Sequence, residues 1–251
     1  MLIRKEQAES LEEVRMPDFG NYMVGHLADF TPLHTKSLGE PGIRELISQG
    51  MARANSHEFT WRGPVRFYIE TCVLLGIDFD TDPQYPELGR ILREETLPDQ
   101  VQRADAAHAW LTDFLEAAGG PDREYAKAAL RRARALPFPS KRATGFREHA
   151  LRQMRETHPE KAAYLGDQPL LDLLGRALEE ARRYEVATED GVGLFAALMF
   201  AVGHGVTGDP KYPWVAGTLT NPAVAPERRV ERLYSKTMTY LDSVLEHLGE
   251  Q

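Results

Sequence analysis

The sequence predicts an all-α protein built from two tandem, diverged repeats, each a bundle of four to five helices. Three observations predict this fold class. The chain matches itself at an offset of about 127 residues, apolar residues recur at helical spacing in both copies, and strand patterns are nearly absent from its 251 residues. An apolar fraction of 42% is large enough to form a core.

The internal match is the basis of the repeat prediction. Residues 19–92 align with residues 146–219 without a gap, with 14 identities in 74 pairs. The similarity is clearest between "GIDFDTDPQYP" (76–86) and "GHGVTGDPKYP" (203–213), which share a glycine, an Asp-Pro pair and a Tyr-Pro pair. A duplicated chain is the simplest explanation of such a match.

The ends of the copies follow from the same comparison. After a short gap, "WLTDFLEAA" (110–118) aligns with "YLDSVLEHL" (240–248). We therefore assign the first helical repeat to residues 1–120. Residues 121–251 contain a basic connector helix followed by the second repeat.

The first predicted helix covers about residues 3–15, and an amphipathic helix follows in each copy. Its apolar residues fall at i, i+3, i+4, i+7, i+8 and i+11, which is one stripe of a helix. These residues are Ile43, Leu46, Ile47, Gly50, Met51 and Ala54 in the first copy, and Leu170, Leu173, Leu174, Ala177, Leu178 and Ala181 in the second.

A central helix is predicted next in each copy, because residues 65–75 and 192–202 are apolar on nearly all sides. The Asp-Pro-x-Tyr-Pro sequence then ends this helix and starts a short one, with Asp82 and Asp209 expected to act as helix caps. Long closing helices are expected at about residues 99–118 and 226–248.

Charge is distributed unevenly along the chain. The formal net charge is −8, which argues against a general nucleic-acid binder. Residues 121–148 nevertheless carry eight Lys and Arg against three acids, so the connector is basic inside an acidic protein. The simplest interpretation is a solvated helix face, and the alternative is a surface that docks an acidic partner.

The sequence predicts a cytoplasmic protein that does not enter membranes. Its N-terminus has no apolar signal core, and no apolar run approaches the 18 residues of a membrane span. The single cysteine, Cys72, makes neither an internal disulfide nor a cysteine-based zinc site, and its apolar surroundings predict a core residue.

Three alternating aspartates after the first central helix resemble a cation-binding loop. An EF-hand loop that began at Asp78 would need glycine at its sixth position and glutamate at its twelfth, where this chain has Pro83 and Gly89. The second copy keeps only the aspartate that precedes proline. We therefore interpret Asp78 and Asp80 as surface charge, with weak cation binding as the alternative.

No catalytic constellation and no cofactor motif was found in the sequence. The eight histidines form no HExxH pair, and neither a P-loop nor a dinucleotide fingerprint occurs. His204 follows the second central helix, so it could join Asp209 as a base or a metal ligand. The more common role of such a histidine is packing or capping at a helix end.

The candidate partner-binding residues come from differences between the copies. Arg66 and Glu70 form a charged i, i+4 pair in an otherwise apolar helix, and the second copy has small residues there. Trp61 and Arg62 stand where the second copy has a threonine cap and an acid. Tryptophan and arginine are frequent in interface hot spots. The predicted contacts are Trp61, Arg62, Arg66, Glu70, Trp214, Arg131 and Arg134, the last two on the basic connector.

The stretches "LGEPGIRELISQGMARANSHEF…VLLGIDFDTDPQYPELGRIL" and "AVGHGVTGDPKYPWVAGTL…RVERLYSKTMTYLDSVLEHL" resemble a poorly characterised bacterial all-helical family. That family is associated with gene clusters for type VI secretion, its spike-tip (PAAR) proteins and their effectors. Its usual single "LGxDFDxDPxxPWA…ERLY" pattern is divided here between two copies. The resemblance implies an accessory role as adaptor, chaperone or immunity protein, and it implies no catalytic residues.

Three functional classes follow from the sequence. The leading one is a non-enzymatic accessory protein that binds a protein partner, such as a secreted effector or spike component. The second is a metal-dependent or hydrolytic helical enzyme that uses His204 with Asp209, or Asp78 with Asp80. The third is a structural subunit that forms a homo-oligomer.

Overall fold

The computed structural model describes residues 18–94, 96–97, 99–136 and 145–249, and these residues form helices, turns and loops without a strand. The predicted all-α class is therefore confirmed. The helix expected at residues 3–15 lies outside the described residues.

The described part of the chain contains twelve α-helices. Two short 3-10 turns, Phe79–Thr81 and Pro121–Arg123, lie between them. In chain order the helices are α1 (Asp18–Phe30), α2 (Pro32–Ser56), α3 (Arg62–Leu75), α4 (Pro86–Leu92), α5 (Gln100–Gly119), α6 (Glu124–Ala135), α7 (Phe146–Thr157), α8 (Pro159–Leu165), α9 (Asp167–Arg183), α10 (Glu189–Val202), α11 (Pro213–Leu219) and α12 (Pro226–His247).

Two apolar cores organise these helices. The first is formed by α1 to α5 around α3, whose Tyr68, Ile69 and Cys72 are fully buried. The second is formed by α7 to α12 around α10, which buries Phe195 and Met199 completely. The two predicted central helices and the core position of the free cysteine are confirmed.

The two central helices begin in different ways. At the start of α10, the Thr188 hydroxyl accepts a hydrogen bond from the backbone N–H of Gly191 at 3.1 Å, as a helix cap should. At the start of α3, Trp61 offers no such acceptor. Oε1 of Gln100 on α5 instead accepts from the N–H groups of Thr60 and Trp61, at 2.7 and 3.0 Å. Gln100 therefore fixes the backbone just before α3, and no side chain caps the first turn of that helix.

The two cores meet at two loops, residues 76–86 and 203–213, which we call the joint. Each loop begins with a glycine of positive φ, 111° at Gly76 and 102° at Gly203. A Cβ atom at Gly76 would lie 2.7 Å from a backbone carbonyl oxygen of α10, and one at Gly203 would lie 2.4 Å from one of α3. Only glycine allows this conformation and this close approach of the two backbones.

Reciprocal hydrogen bonds hold the joint together. Oδ2 of Asp82 accepts from the backbone N–H of His204 at 2.7 Å, and Oδ2 of Asp209 accepts from that of Ile77 at 3.1 Å. The Oδ1 atom of each aspartate accepts from the N–H two residues further along its own loop, at 2.8 Å in both cases. Hydrogen bonds to ionised groups contribute about 1.5–3 kcal/mol each, so these four bonds fix the contact between the cores.

Longer side chains extend the joint into the helix ends. Lys211 Nζ donates to the carbonyl oxygens of Cys72 and Val73 at 2.6 and 2.9 Å, in the last turn of α3. Gln84 Nε2 donates to the carbonyl oxygen of Met199 in α10 at 2.9 Å. Each loop thus binds carbonyl groups in the C-terminal turn of the opposite central helix.

The expected role of the two aspartates as helix caps is wrong. Helices α4 and α11 begin at the second proline of each motif, and their N-cap residues are Tyr85 and Tyr212. Asp82 and Asp209 lie three residues earlier and accept from the opposite loop. Sequence comparison showed that the aspartate recurs. It could not show that one of the two N–H groups bound by each aspartate belongs to a residue more than 120 positions away.

Gly76→Ala and Gly203→Ala are each expected to lower the free energy of unfolding by roughly 2–4 kcal/mol. Positive φ costs a non-glycine residue about 1–3 kcal/mol, and the contact with the opposite carbonyl adds to it. Gly175→Ala is the matched control, because that helical glycine has no atom near its Cβ position. It should be neutral or stabilising by up to about 1 kcal/mol. Urea unfolding followed by circular dichroism measures all three, and an equal effect at the three positions would contradict the close approach.

Candidate functional site

The alternating aspartates of the first loop form ion pairs. Arg53 on α2 lies 2.6 Å from Asp78 Oδ1 and also contacts Asp80 Oδ1. His57 Nε2 lies 2.8 Å from Asp80 Oδ2, and the side chain of Asp80 is only 6% exposed. The expectation that both aspartates are surface charges is therefore wrong for Asp80, which is buried and paired.

The pairing determines how these carboxyl groups titrate. Burial by itself would raise the pKa of Asp80, but hydrogen bonds from His57 and Arg53 and the charge of Arg53 outweigh it and lower the pKa well below its usual range. Burial raises the pKa of Asp78, although Arg53 opposes that shift. Asp80 therefore stays ionised and accepts two charge-assisted hydrogen bonds.

His204 and Asp209, the residues of the alternative enzymatic prediction, bind different partners. His204 Nε2 lies 3.0 Å from the carbonyl oxygen of Asp78 and 3.2 Å from Thr81 Oγ1, whereas the Asp209 carboxylate accepts from Ile77 and Lys211. Within the described residues, no group of three or more His, Cys, Asp and Glu side chains could hold a metal ion.

Four of the seven predicted partner contacts lie close together at one edge of the first core. Arg62, Arg66 and Glu70 project from α3 towards α1, and the half-buried Trp61 precedes them. The guanidinium of Arg62 lies 5.8 Å from the ring of Phe19, and Arg66 Nε lies 3.6 Å from Glu70 Oε1. Arg66 and Glu70 are thus at an exposed edge rather than inside a groove.

Three aromatic side chains of α1, which sequence reasoning missed, complete this surface. Tyr22, His26 and Phe30 stack along the helix with successive ring centroids 5.9 Å apart. Tyr22 is 46% exposed and Phe30 is 40% exposed. The i, i+4, i+8 spacing of aromatic residues was the available signal. We call Tyr22, His26, Phe30, Arg62, Arg66 and Glu70 the α1/α3 patch.

Hydrogen bonds link the two helices of the α1/α3 patch. His26 Nε2 and Glu70 Oε1 are 2.6 Å apart, and Arg66 donates to the Tyr22 hydroxyl at 3.3 Å. The aromatic rings and the charged groups are therefore held in fixed relative positions. A surface that is already ordered loses little side-chain entropy when a partner binds.

The remaining predicted contacts lie elsewhere. Trp214 is half-buried in the second core, with its ring 6.0 Å from that of Tyr240. Arg134 on α6 forms an ion pair with Asp242 on α12, with Nε 2.5 Å from Oδ1, and the exposed Arg131 lies one turn earlier. The connector helix α6 is thus bound to α12 through Arg134. Trp214, Arg131 and Arg134 do not belong to the α1/α3 patch.

An apolar cleft lies beneath the connector helix α6, with walls formed by α7, α8, α10 and α12 and by the C-terminal parts of α3 and α5. Its volume is about 310 Å³, and it adjoins a second cavity of about 170 Å³ that Trp214 lines. Gly193, Ala197 and Ala201 form a wall shared by both spaces. Because they are four residues apart, they lie on one face of α10. Their small side chains therefore leave one continuous space along that face.

The polar groups of the cleft are concentrated at α8. Lys161 Nζ donates to the carbonyl oxygen of Phe200 at 2.5 Å and to the Tyr85 hydroxyl at 3.2 Å. Burial lowers the pKa of Lys161 to about 8, and burial together with the charge of Lys161 lowers the pKa of His158 to about 4. At neutral pH the cleft therefore contains a buried ammonium group beside a neutral imidazole.

Comparison of the chain with protein-family models, with curated proteins and with solved structures finds no match. Among the described helices, none has both the length and the apolar character required to cross a membrane. Functional inference therefore depends on the geometry of the chain itself.

Asp80→Asn is expected to lower the free energy of unfolding at pH 7 by about 1–3 kcal/mol, because Arg53 and His57 would each lose a charge-assisted hydrogen bond while Arg53 keeps its ion pair with Asp78. The folded-state pKa of Asp80 is depressed, so its stabilisation is complete above the usual pKa near 4 and is lost as the pH falls through the folded value. The difference between the wild type and the variant should therefore shrink below pH 4.

Denaturant titrations at pH 7, 4 and 2.5 measure this difference. Glu87→Gln is the control, since Glu87 forms an exposed ion pair with Arg90 and should contribute less than about 1 kcal/mol. A loss of stability for Asp80→Asn that does not depend on pH would contradict the proposed ion-pair network.

Proposed function

We propose that this protein is a non-enzymatic accessory protein that binds another protein through the α1/α3 patch. The observation that carries the proposal is the row of aromatic rings on α1, in which Tyr22 and Phe30 are exposed and His26 is half-buried, held beside Arg62 and Arg66. Exposed aromatic and arginine side chains are enriched in protein interfaces, and large exposed apolar groups are a sign of binding surfaces.

The chemistry of the patch favours a partner with apolar and acidic side chains. Tyr22 and Phe30 offer flat apolar area, while the guanidinium groups of Arg62 and Arg66 bind carboxylates well. The net charge of −8 would repel an acidic partner at long range, so the local arginines would direct it to this surface. The sequence resemblance suggests a secreted effector or spike component, and hence a cytoplasmic adaptor, chaperone or immunity protein.

We also infer that the chain arose by duplication at an offset of 127 residues. The helix boundaries support this inference, because α10 and α11 begin and end 127 positions after α3 and α4, respectively. Positive φ values recur in the same way, at 63° for Gly39 and 75° for Gly166. Superposition of residues 19–92 on residues 146–219 in an experimental structure tests this, and a different spatial order of the helices would contradict it.

The binding proposal is tested by co-expression of the full chain with the product of each gene that neighbours its own. We expect one of them to co-purify with the wild-type chain. Tyr22→Ala and Arg66→Glu should each weaken that complex by about 30-fold or more, which corresponds to a hot-spot loss of 2 kcal/mol. Biolayer interferometry measures the dissociation constants.

Tyr125→Ala is the matched control, because Tyr125 is an exposed tyrosine of α6 outside the patch. It should leave the complex unchanged, and thermal unfolding should show that all three variants are folded. Partner affinity that survives both patch substitutions would refute the assignment of this surface.

A further inference from the structure

The apolar cleft beneath the connector helix contains a buried cation, Lys161, that forms no close ion pair with a carboxylate of the described residues. Lys161 is 6% exposed, and no carboxylate among the described residues lies within ion-pair distance of its ammonium group. Lys211 is also buried, but it does form an ion pair: its Nζ lies 3.4 Å from the carboxylate of Asp209. The charge of Asp82 raises the pKa of Lys161, but burial outweighs it and lowers that pKa overall. A buried charge that is compensated only in part is costly in free energy.

The neighbours of Lys161 compensate its charge only in part. Its Nζ binds one helix-terminal carbonyl and one hydroxyl, and it lies 4.8 Å from the ring centroid of Phe200. An ammonium group has three N–H donors, so the two hydrogen bonds leave one donor available. Lys161 also lines the cleft, which places this group at the wall of an open apolar space.

We infer that the cleft binds a long-chain aliphatic carboxylate, with its carboxylate at Lys161 and its chain along α10. Charge complementarity identifies the head group, because a carboxylate would supply the counter-charge and accept the remaining N–H. The apolar wall identifies the tail, since Leu74, Phe114 and Leu241 line the same space as Lys161.

The dimensions of the cleft agree with an extended chain. The wall shared by the two cavities runs along α10 from Gly193 to Ala201, which spans about 12 Å at the helical rise of 1.5 Å per residue. A volume of about 310 Å³ lies at the lower end of the range for small-molecule sites. Leu74 and Leu115, each about 40% exposed, place further apolar surface at the mouth.

This inference is independent of the protein-binding proposal. The α1/α3 patch belongs to the first core, whereas the cleft is lined mainly by the connector helix and the second core. Either proposal can fail while the other stands. The two variants used below are also distinct from the patch residues.

The test is calorimetric titration of the full chain with dodecanoate and, separately, with 1-dodecanol. We expect dodecanoate to bind with one site per chain and more tightly than the alcohol. Lys161→Met should weaken dodecanoate binding by about 10- to 100-fold, the loss expected for a charge-assisted hydrogen bond, and leave dodecanol binding unchanged. Lys236→Met, which removes an exposed lysine of α12, should alter neither.

A second variant keeps the test decisive if Lys161→Met does not fold. Ala197→Phe introduces a large side chain on the shared wall and should abolish binding of both ligands. Ala109→Phe, at an exposed position of α5 away from the cleft, is its control. The inference is overturned if the wild-type chain binds no dodecanoate, if dodecanol binds as tightly, or if Ala197→Phe has no effect.

Discussion

The rest of the structure depends on the reciprocal hydrogen bonds that Asp82 and Asp209 each accept from the opposite loop. Each carboxylate accepts one N–H from its own loop and one from the opposite loop, so neither loop can keep its conformation without the other. Because the loops also hold the last turns of α3 and α10, the orientation of the two cores follows from this contact.

The functional surfaces arise where the two central helices differ. On α3, Arg66 and Glu70 face outwards and join the aromatic rings of α1. At the corresponding positions of α10, Gly193 and Ala197 leave the wall of the cleft. The same pair of positions therefore makes a polar recognition surface on one helix and an apolar cavity on the other.

Much of the fold could be predicted from the sequence because helix periodicity and proline positions are local signals. The central helices, Cys72 in the core and the short helices after the Tyr-Pro pairs all followed from residues near them in the chain. The partner of Asp80 could not be predicted in this way. Arg53 lies on another helix, and only tertiary packing brings it to the acidic loop.

The candidate sites were predictable to a smaller extent, for a related reason. Comparison of the two aligned stretches of sequence singled out Arg66, Glu70 and Trp61, but it could not show that α1 supplies the aromatic half of the patch. The loss of side-chain volume at Gly193 and Ala197 was also visible. A cavity, however, follows from the tertiary packing of several helices. Lys161 can be recognised as a ligand-binding candidate only when that packing is known.

The joint also has a consequence for biosynthesis. The first core is synthesised well before Lys211 and Asp209, whose side chains bind the end of α3 and the loop after it. Until those residues leave the ribosome, the carbonyls of Cys72 and Val73 lack the Lys211 ammonium group, and the N–H of Ile77 lacks its acceptor. The nascent first half is thus complete in its core and incomplete at one edge, so the final structure forms only at a late stage of translation.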